Sequence, residues 1–429
     1  MKNLVTFLFS LIFSTPIFSG SFVENLKALL ETHPRVQASQ NSFEATVERI
    51  QETHAKQFGF QLDFTMSEGY QRYKKPLLDM VEKEGEDNSF KITRMLYDFG
   101  KSEALLEDAR FTSKQTEITV GSVRQALLLE AVTAYLSYLR AKQILEFARK
   151  SEANIQKQTK LENILVKKGK GYSSNVLQAK THLAGAQSRR VRAEGGVLVA
   201  EARVRAVFRE LKEKLNYDDQ LKAPMDSIPD SLEDAIEIAM EKNRQILIGT
   251  MRSAALNERI KSTYAKEFRP RFQFLGEVSR DFDKEGNDGL QENTKAFVQV
   301  VFPLNASGAG SHALHAAQNE HSASVKREKE AMSQVREQVT ISWQNLITAN
   351  TNEKYLSNQV NIAQQFLSLA RKERQNGRRS LLDVLSAETS LINAQSDHVS
   401  TSFDIKIAAF TLLQAMGVLD LQKVESSVL

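Results

Sequence analysis

Between residues 58 and 66 apolar and polar positions alternate. Phe58, Phe60, Leu62, Phe64 and Met66 are oily, and Gly59, Gln61, Asp63 and Thr65 separate them. A two-residue period predicts a strand with one apolar and one wet face. After a polar loop expected over 74–88, a second strand is predicted around 90–97. The same order returns later: Phe272, Phe274 and Val278, a polar loop over 281–293, then Val298, Val300 and Phe302 before Pro303. The chain thus carries four expected strands in two hairpins, too few to close a barrel alone, because the smallest transmembrane barrels have about eight.

Around the hairpins the period becomes helical. Single helices are expected over Val23–Lys56 and Leu232–Lys266, rich in Ala, Leu, Glu, Gln and Lys. After each hairpin the breakers vanish: 101–168 and 311–376 hold no proline and one glycine, Gly121. At 1.5 Å per residue such helices are on the order of 100 Å long. Val132, Tyr135 and Leu139, and likewise Val339, Trp343 and Leu346, keep the alternating three- and four-residue spacing of a packed seam. Glycines end both long helices, at Gly169 and Gly171 and at Gly377, and new helices are expected over 173–215 and 380–416. Helix, glycine turn and returning helix make an αα-hairpin.

The two halves are copies. A shift of 210 residues lays Glu48-Arg49-Ile50 on Glu258-Arg259-Ile260 and Phe58 on Phe268. A shift of 208 lays Gly100 on Gly308, Tyr135 on Trp343, Gly169 on Gly377 and Val176-Leu177 on Val384-Leu385. A unit of this size is a duplication, since solenoid repeats have periods of roughly 20–50 residues. The expected organisation is a first unit over 21–215, a linker over 216–230 with Pro224 and Pro229, a second unit over 231–418 and a tail over 419–429.

Residues 1–20 read as a signal peptide: Lys2, an apolar run from Leu4 to Phe18, then small residues. The run is shorter than the roughly 20 residues of a membrane-spanning helix. Charge is balanced, with Lys+Arg 57 against Asp+Glu 53, and is spread along the chain. Nucleic acid, which calls for clustered basic charge, is therefore not an expected partner. Cysteine is absent, which removes disulfides, thiolate metal sites and thiol nucleophiles. His312, His315 and His321 lie close together beside Glu320, but H-x-x-H alone is a weak metal signal, and no phosphate loop or nucleophile elbow occurs. No enzyme, no cofactor and no metal are expected. Alternation on the strands by itself also fits a soluble antiparallel sheet.

In its doubled order of helix, β-hairpin and long α-hairpin, the chain resembles the TolC-like outer-membrane channels of drug efflux and type I secretion. The resemblance is carried by the opening helix ending near His33-Pro34, by 96–101 (LYDFGK) and Phe302-Pro303-Leu304 after the hairpins, and by 377–388 at the second tip. It implies a mainly α fold with a small β part. In such a homotrimer each chain gives four strands to a twelve-stranded outer-membrane barrel and its long α-hairpins to a periplasmic tunnel. It further implies a periplasmic adaptor and an inner-membrane transporter as partners, and recasts Phe60, Leu62, Phe64, Phe272, Phe274, Val298 and Val300 as lipid-facing, with Tyr70 and Tyr73 as candidates for an aromatic girdle.

By the same resemblance the tunnel closes at the tip turns, where Gly169, Gly171, Gly377 and Arg378 are expected to meet the adaptor. Asp383 and Arg379 occupy the acidic and basic gate positions; their spacing also allows a pair on one helical face. The pattern departs from the family's at three points: Asn175 and Ser386 stand where carboxylates are expected, and Arg374 where an aromatic tether is expected. Fewer acids and more base imply a differently latched gate. The alternative reading is a soluble periplasmic coiled-coil adaptor, although adaptors carry further β modules that are not evident here.

Overall fold

The computed structural model describes residues 22–74, 81–208, 221–283 and 289–428. The expected signal peptide lies outside the described residues, as does the first part of the expected linker.

Element lengths show the duplication directly. Helices α1 (Phe22–Thr32) and α5 (Leu232–Lys242) each have 11 residues. Helices α2 (Pro34–Phe58) and α6 (Arg244–Phe268) each have 25, and α3 (Lys101–Lys167) and α7 (Ala309–Gln375) each have 67. The returning helices α4 (Ser173–Phe208) and α8 (Leu381–Ala415) have 36 and 35.

The single helix that periodicity predicts at the start of each copy is in fact two, and in the first copy the break falls at His33-Pro34, where the resemblance ends the opening helix. In the first copy Pro34 has no N–H and pushes His33 out of the helical region. No proline stands at the equivalent place in the second copy; there Asn243 adopts extended backbone and its side chain caps the next helix, accepting from Gln245 N at 2.9 Å.

Strands β1 (Phe60–Tyr73), β2 (Val81–Tyr97), β3 (Arg271–Phe282) and β4 (Leu290–Val301) form one antiparallel sheet in sequence order. Its register sets Phe60 opposite Arg94, Phe64 opposite Phe90, Arg94 opposite Phe274 and Phe274 opposite Val298. The expected polar loops include strand where they are described: residues 81–88 pair with 66–73, and β3 and β4 run into 281–282 and 290–293, while 75–80 and 284–288 lie outside the described residues. Hydrophobicity failed to mark these segments because they carry no apolar alternation, and the backbone ladder holds them instead. Glu82, Glu84 and Glu86 pair with Arg72, Tyr70 and Glu68 in the ladder although their side chains are polar.

The described residues fall into two compact units, 22–33 with 124–208, 221–239 and 338–428, and 34–74 and 81–123 with 240–283 and 289–337. In the first, Tyr135 is fully buried and stacks on Phe22 with ring centroids 4.1 Å apart. Its seam role is therefore shared with α1. Ala363, Leu367 and Ala370 of α7 pack against Val384, Ala387 and Leu391 of α8, and Ile155 and Ala179 pack with Leu381 and Leu385. The expected tail holds a short helix α9 (Leu421–Glu425), whose Glu425 meets Lys27 at 2.6 Å, and Val428 bridges back to Leu221 in the linker. The second unit contains the sheet, α2 and α6. There Asp98 of the 96–101 motif starts α3, its carboxylate accepting from Ser102 N at 3.0 Å and Ser102 Oγ at 2.5 Å.

Candidate functional site

The tips of the two α-hairpins are built by one backbone device. At the first, Gly169 N donates to Val166 O at 3.0 Å and Lys170 N to Leu165 O at 2.9 Å. At the second, Gly377 N donates to Arg374 O at 3.0 Å and Arg378 N to Glu373 O at 2.9 Å. Both are Schellman closures, which satisfy the last carbonyls of a helix and demand a left-handed residue. Gly169 and Gly377 provide it, with φ of +71° and +70°. The following helix α8 is capped by Ser380, whose hydroxyl accepts from Asp383 N at 3.1 Å.

Beside these turns lie two buried carboxylates, each held by an arginine from α7 and an asparagine. Glu162 of α3, whose side chain is 3% exposed, accepts from Arg374 Nη2 at 2.7 Å and from Asn175 Nδ2 at 3.1 Å. Glu388 of α8 accepts from Arg371 Nη2 at 2.5 Å and from Asn154 Nδ2 at 2.7 Å. Each oxygen of each carboxylate thus has its own charged or amide donor. A buried charge is tolerated on that condition, and removing one partner of such a pair costs about 3–5 kcal/mol when both are buried. Arg374 is 29% exposed, which lowers that cost for the Glu162 pair. The Arg374–Glu162 bond joins α7 of the second copy to α3 of the first, so it ties one hairpin to the other.

Several expected gate residues find different partners from those the sequence suggested. Arg379 does not pair with Asp383: its Nε donates to Glu373 Oε2 at 2.6 Å, and its guanidinium lies 5.2 Å from the centre of the Phe366 ring. Asp383 is exposed, as are Ser386, Arg378 and Gly377. Asn175, standing where a carboxylate was expected, serves as a donor to one. Arg374, standing where an aromatic tether was expected, is an ionic tether instead.

Sequence reading missed Glu162, Glu388 and Asn154. A usable signal was present: Ile155, Thr159, Glu162 and Val166 keep four-three-four spacing, and Ile155 and Thr159 are buried, so an acid occupies a seam position.

In the sheet, Phe60, Leu62, Phe64, Val298 and Val300 share one face and are exposed, while Phe272 and Phe274 on that face are half-buried. Tyr70 stands beyond them, 82% exposed. Among the described residues no helix is long and apolar enough to cross a membrane, and no group of three His, Asp or Glu is placed to hold a metal ion.

Comparison with known proteins agrees with this architecture. The chain is 25% identical over 296 residues to the outer membrane efflux protein BepC of Brucella suis, covering 68% of this chain and 63% of BepC, so it spans a little under two thirds of that relative. It is 21% identical to the outer membrane protein TolC of Escherichia coli, covering 98% of this chain and 88% of TolC. A membrane protein from Pseudomonas aeruginosa has the same fold, with a TM-score of 0.81 at 18% identity over 92% of this chain and 93% of that one. The outer membrane efflux protein family model matches twice, over residues 25–208 and 235–418, once on each copy of the repeat. The chain belongs to the outer membrane efflux protein family.

Proposed function

We propose that the protein is the outer-membrane channel-tunnel of a tripartite efflux pump or type I secretion system. In this reading it is a passive duct through which drugs, other small molecules or proteins cross the outer membrane. Three copies assemble, each giving four strands, so that twelve close a barrel with no edge exposed to lipid. The helices form a periplasmic tunnel. An adaptor docks at the tip turns around Gly169, Gly171, Gly377 and Arg378 and links the duct to an inner-membrane transporter. No step of this function requires a cofactor or a catalytic group.

The observation that carries the reading is the sheet's apolar face. Phe60, Leu62, Phe64 and Met66 are each more than half exposed on one strand. Their neighbours Phe90, Val278 and Val298 extend the patch across the sheet. A soluble monomer seldom leaves so large an oily surface in water, whereas a lipid-facing band requires one.

The gate follows from the tip chemistry. The Arg374–Glu162 bond, supported by Asn175, holds the second hairpin against the first and keeps the tunnel end narrow. Asp383 remains exposed and forms a ring of three carboxylates in the trimer, which favours cations. Arg379, Ser386 and Arg378 line the same end.

Fractionation tests the reading. Heat-modifiable, trimeric migration from an outer-membrane fraction is expected; release into the soluble periplasmic fraction would instead support the adaptor alternative. In planar bilayers, Asp383→Ala is expected to lower the preference for cations over anions. Unchanged selectivity would remove Asp383 from the gate.

A further inference from the structure

Basic side chains at the two ends of the sheet have opposite surroundings. At the end remote from the helices, Arg72 is ion-paired with Glu82, and Arg280 lies 3.8 Å from Glu292. At the end next to the helices, Arg94 and Arg269 are both exposed and have no acid partner among the described residues. They lie over aromatic rings instead. The Arg94 guanidinium is 4.6 Å from the centre of the Phe60 ring. That of Arg269 is 5.3 Å from the Tyr264 ring and 5.9 Å from the Phe99 ring. Tyr97 and Phe272 continue the aromatic group, with Tyr97 4.7 Å and Phe272 6.5 Å from Phe99. The acids nearest in sequence are already engaged: Asp98 by Ser102, and Glu267 by Lys266 at 2.9 Å.

We propose that Arg94 and Arg269, seated on this aromatic collar, bind the phosphate of anionic phospholipid headgroups in the leaflet next to the helices. The inference rests on the membrane reading of the sheet. Arg94 stands one row inside the helix-side limit of the apolar face, paired in register with Phe60 and Phe274, while Phe272 and Val300 form the last row. Arg269 caps α6 immediately before β3. Both therefore fall at the edge of the hydrocarbon band, where aromatic rings and basic side chains meet headgroups. Stacking on a ring face holds a guanidinium while leaving its N–H edge free, and that edge matches two phosphate oxygens. At the far end the acids Glu82 and Glu292 already satisfy the bases, so a phosphate there would meet repulsion.

The full-length protein is reconstituted in vesicles of phosphatidylcholine and phosphatidylglycerol, floated, re-extracted, and its co-purifying lipids quantified. The wild type is expected to enrich phosphatidylglycerol over the vesicle ratio. Arg94→Gln and Arg269→Gln should each cut the enrichment, by roughly fivefold at most, as expected for one basic group at a charged surface. The double variant should return the input ratio. Arg94→Lys should keep part of the enrichment, and Arg280→Gln all of it. Inorganic phosphate should not displace the lipid.

Enrichment that survives the double variant, or falls equally with Arg280→Gln, overturns the proposal, as does displacement by inorganic phosphate. A wild type that fails to float defeats the membrane reading and this proposal with it. A wild type that floats without headgroup preference defeats this proposal alone.

Discussion

The two hairpin tips share a backbone and differ in chemistry. Gly169 and Gly377 close their helices with the same pair of hydrogen bonds and nearly the same φ. The side chains around them diverge. Asn175 in the first copy stands at the position of Asp383 in the second, and Glu162 at that of buried Ala370. Arg374 is matched in the first copy by Val166. Both partners of the ionic tether therefore have apolar counterparts, and duplication supplied no second tether. A turn is fixed by local sterics and survives in both copies, whereas a buried ion pair needs two partners at once, and each copy holds only one.

Substitutions that carry a residue from one copy to the other sharpen this comparison. The largest effect is expected from Asn175→Asp, which gives the first tip the residue of the second. It removes the amide donor to Glu162 and sets two carboxylates beside one guanidinium. The loss of stability should be about 2 kcal/mol at neutral pH, measured by chemical denaturation. The sign of its pH dependence follows from the repulsion. The introduced carboxyl has a raised folded-state pKa, so the penalty is small when it is protonated and grows as pH rises through the ordinary carboxylate range near about 4. A penalty that shrinks on raising the pH would contradict the proximity of the two groups.

Gly169→Ala and Gly377→Ala come next. Each forces a side chain into the left-handed region at a cost of about 1–2 kcal/mol, and the two costs should agree closely. Unequal costs in denaturation midpoints would show that the tips are not equivalent turns.

The smallest effect concerns Lys406, which is half-buried against Phe403, its ammonium 4.9 Å from the ring centre. Burial pushes its pKa below the ordinary lysine value. The repeat counterpart is Leu198, which is 66% exposed. With a depressed folded-state pKa, the lysine disfavours folding while charged, and the native state gains stability as pH rises through the folded value toward the unfolded one. Lys406→Leu should therefore stabilise the protein by about 1 kcal/mol or less at neutral pH, with the gain fading above about pH 10. Thermal melts across pH test this.

The sequence carried much of the fold for identifiable reasons. Period-two and period-3.6 patterns are local, and two copies allow each to check the other; hence the hairpins and long helices stood out. The outer half of β2 did not, because Glu82, Glu84 and Glu86 carry no apolar alternation while the ladder itself holds them. The break at Asn243 was hidden because a side-chain cap replaces the proline of the first copy. At the site, Arg374 and Asn175 were singled out by position but not by role. Their common partner Glu162 is far from Arg374 in sequence, and only the packing of α3 beside the second tip brings the two together.

In the proposed gate the Arg374–Glu162 bond holds the tunnel end closed. Single-channel conductance in planar bilayers tests it most directly, on wild type, Glu162→Gln, Arg374→Gln and the exchange Glu162→Arg with Arg374→Glu, each first checked for trimeric migration. Low conductance is expected for the wild type, a large rise in both single variants and a return toward the wild-type level in the exchange. Single variants that conduct like the wild type would contradict it.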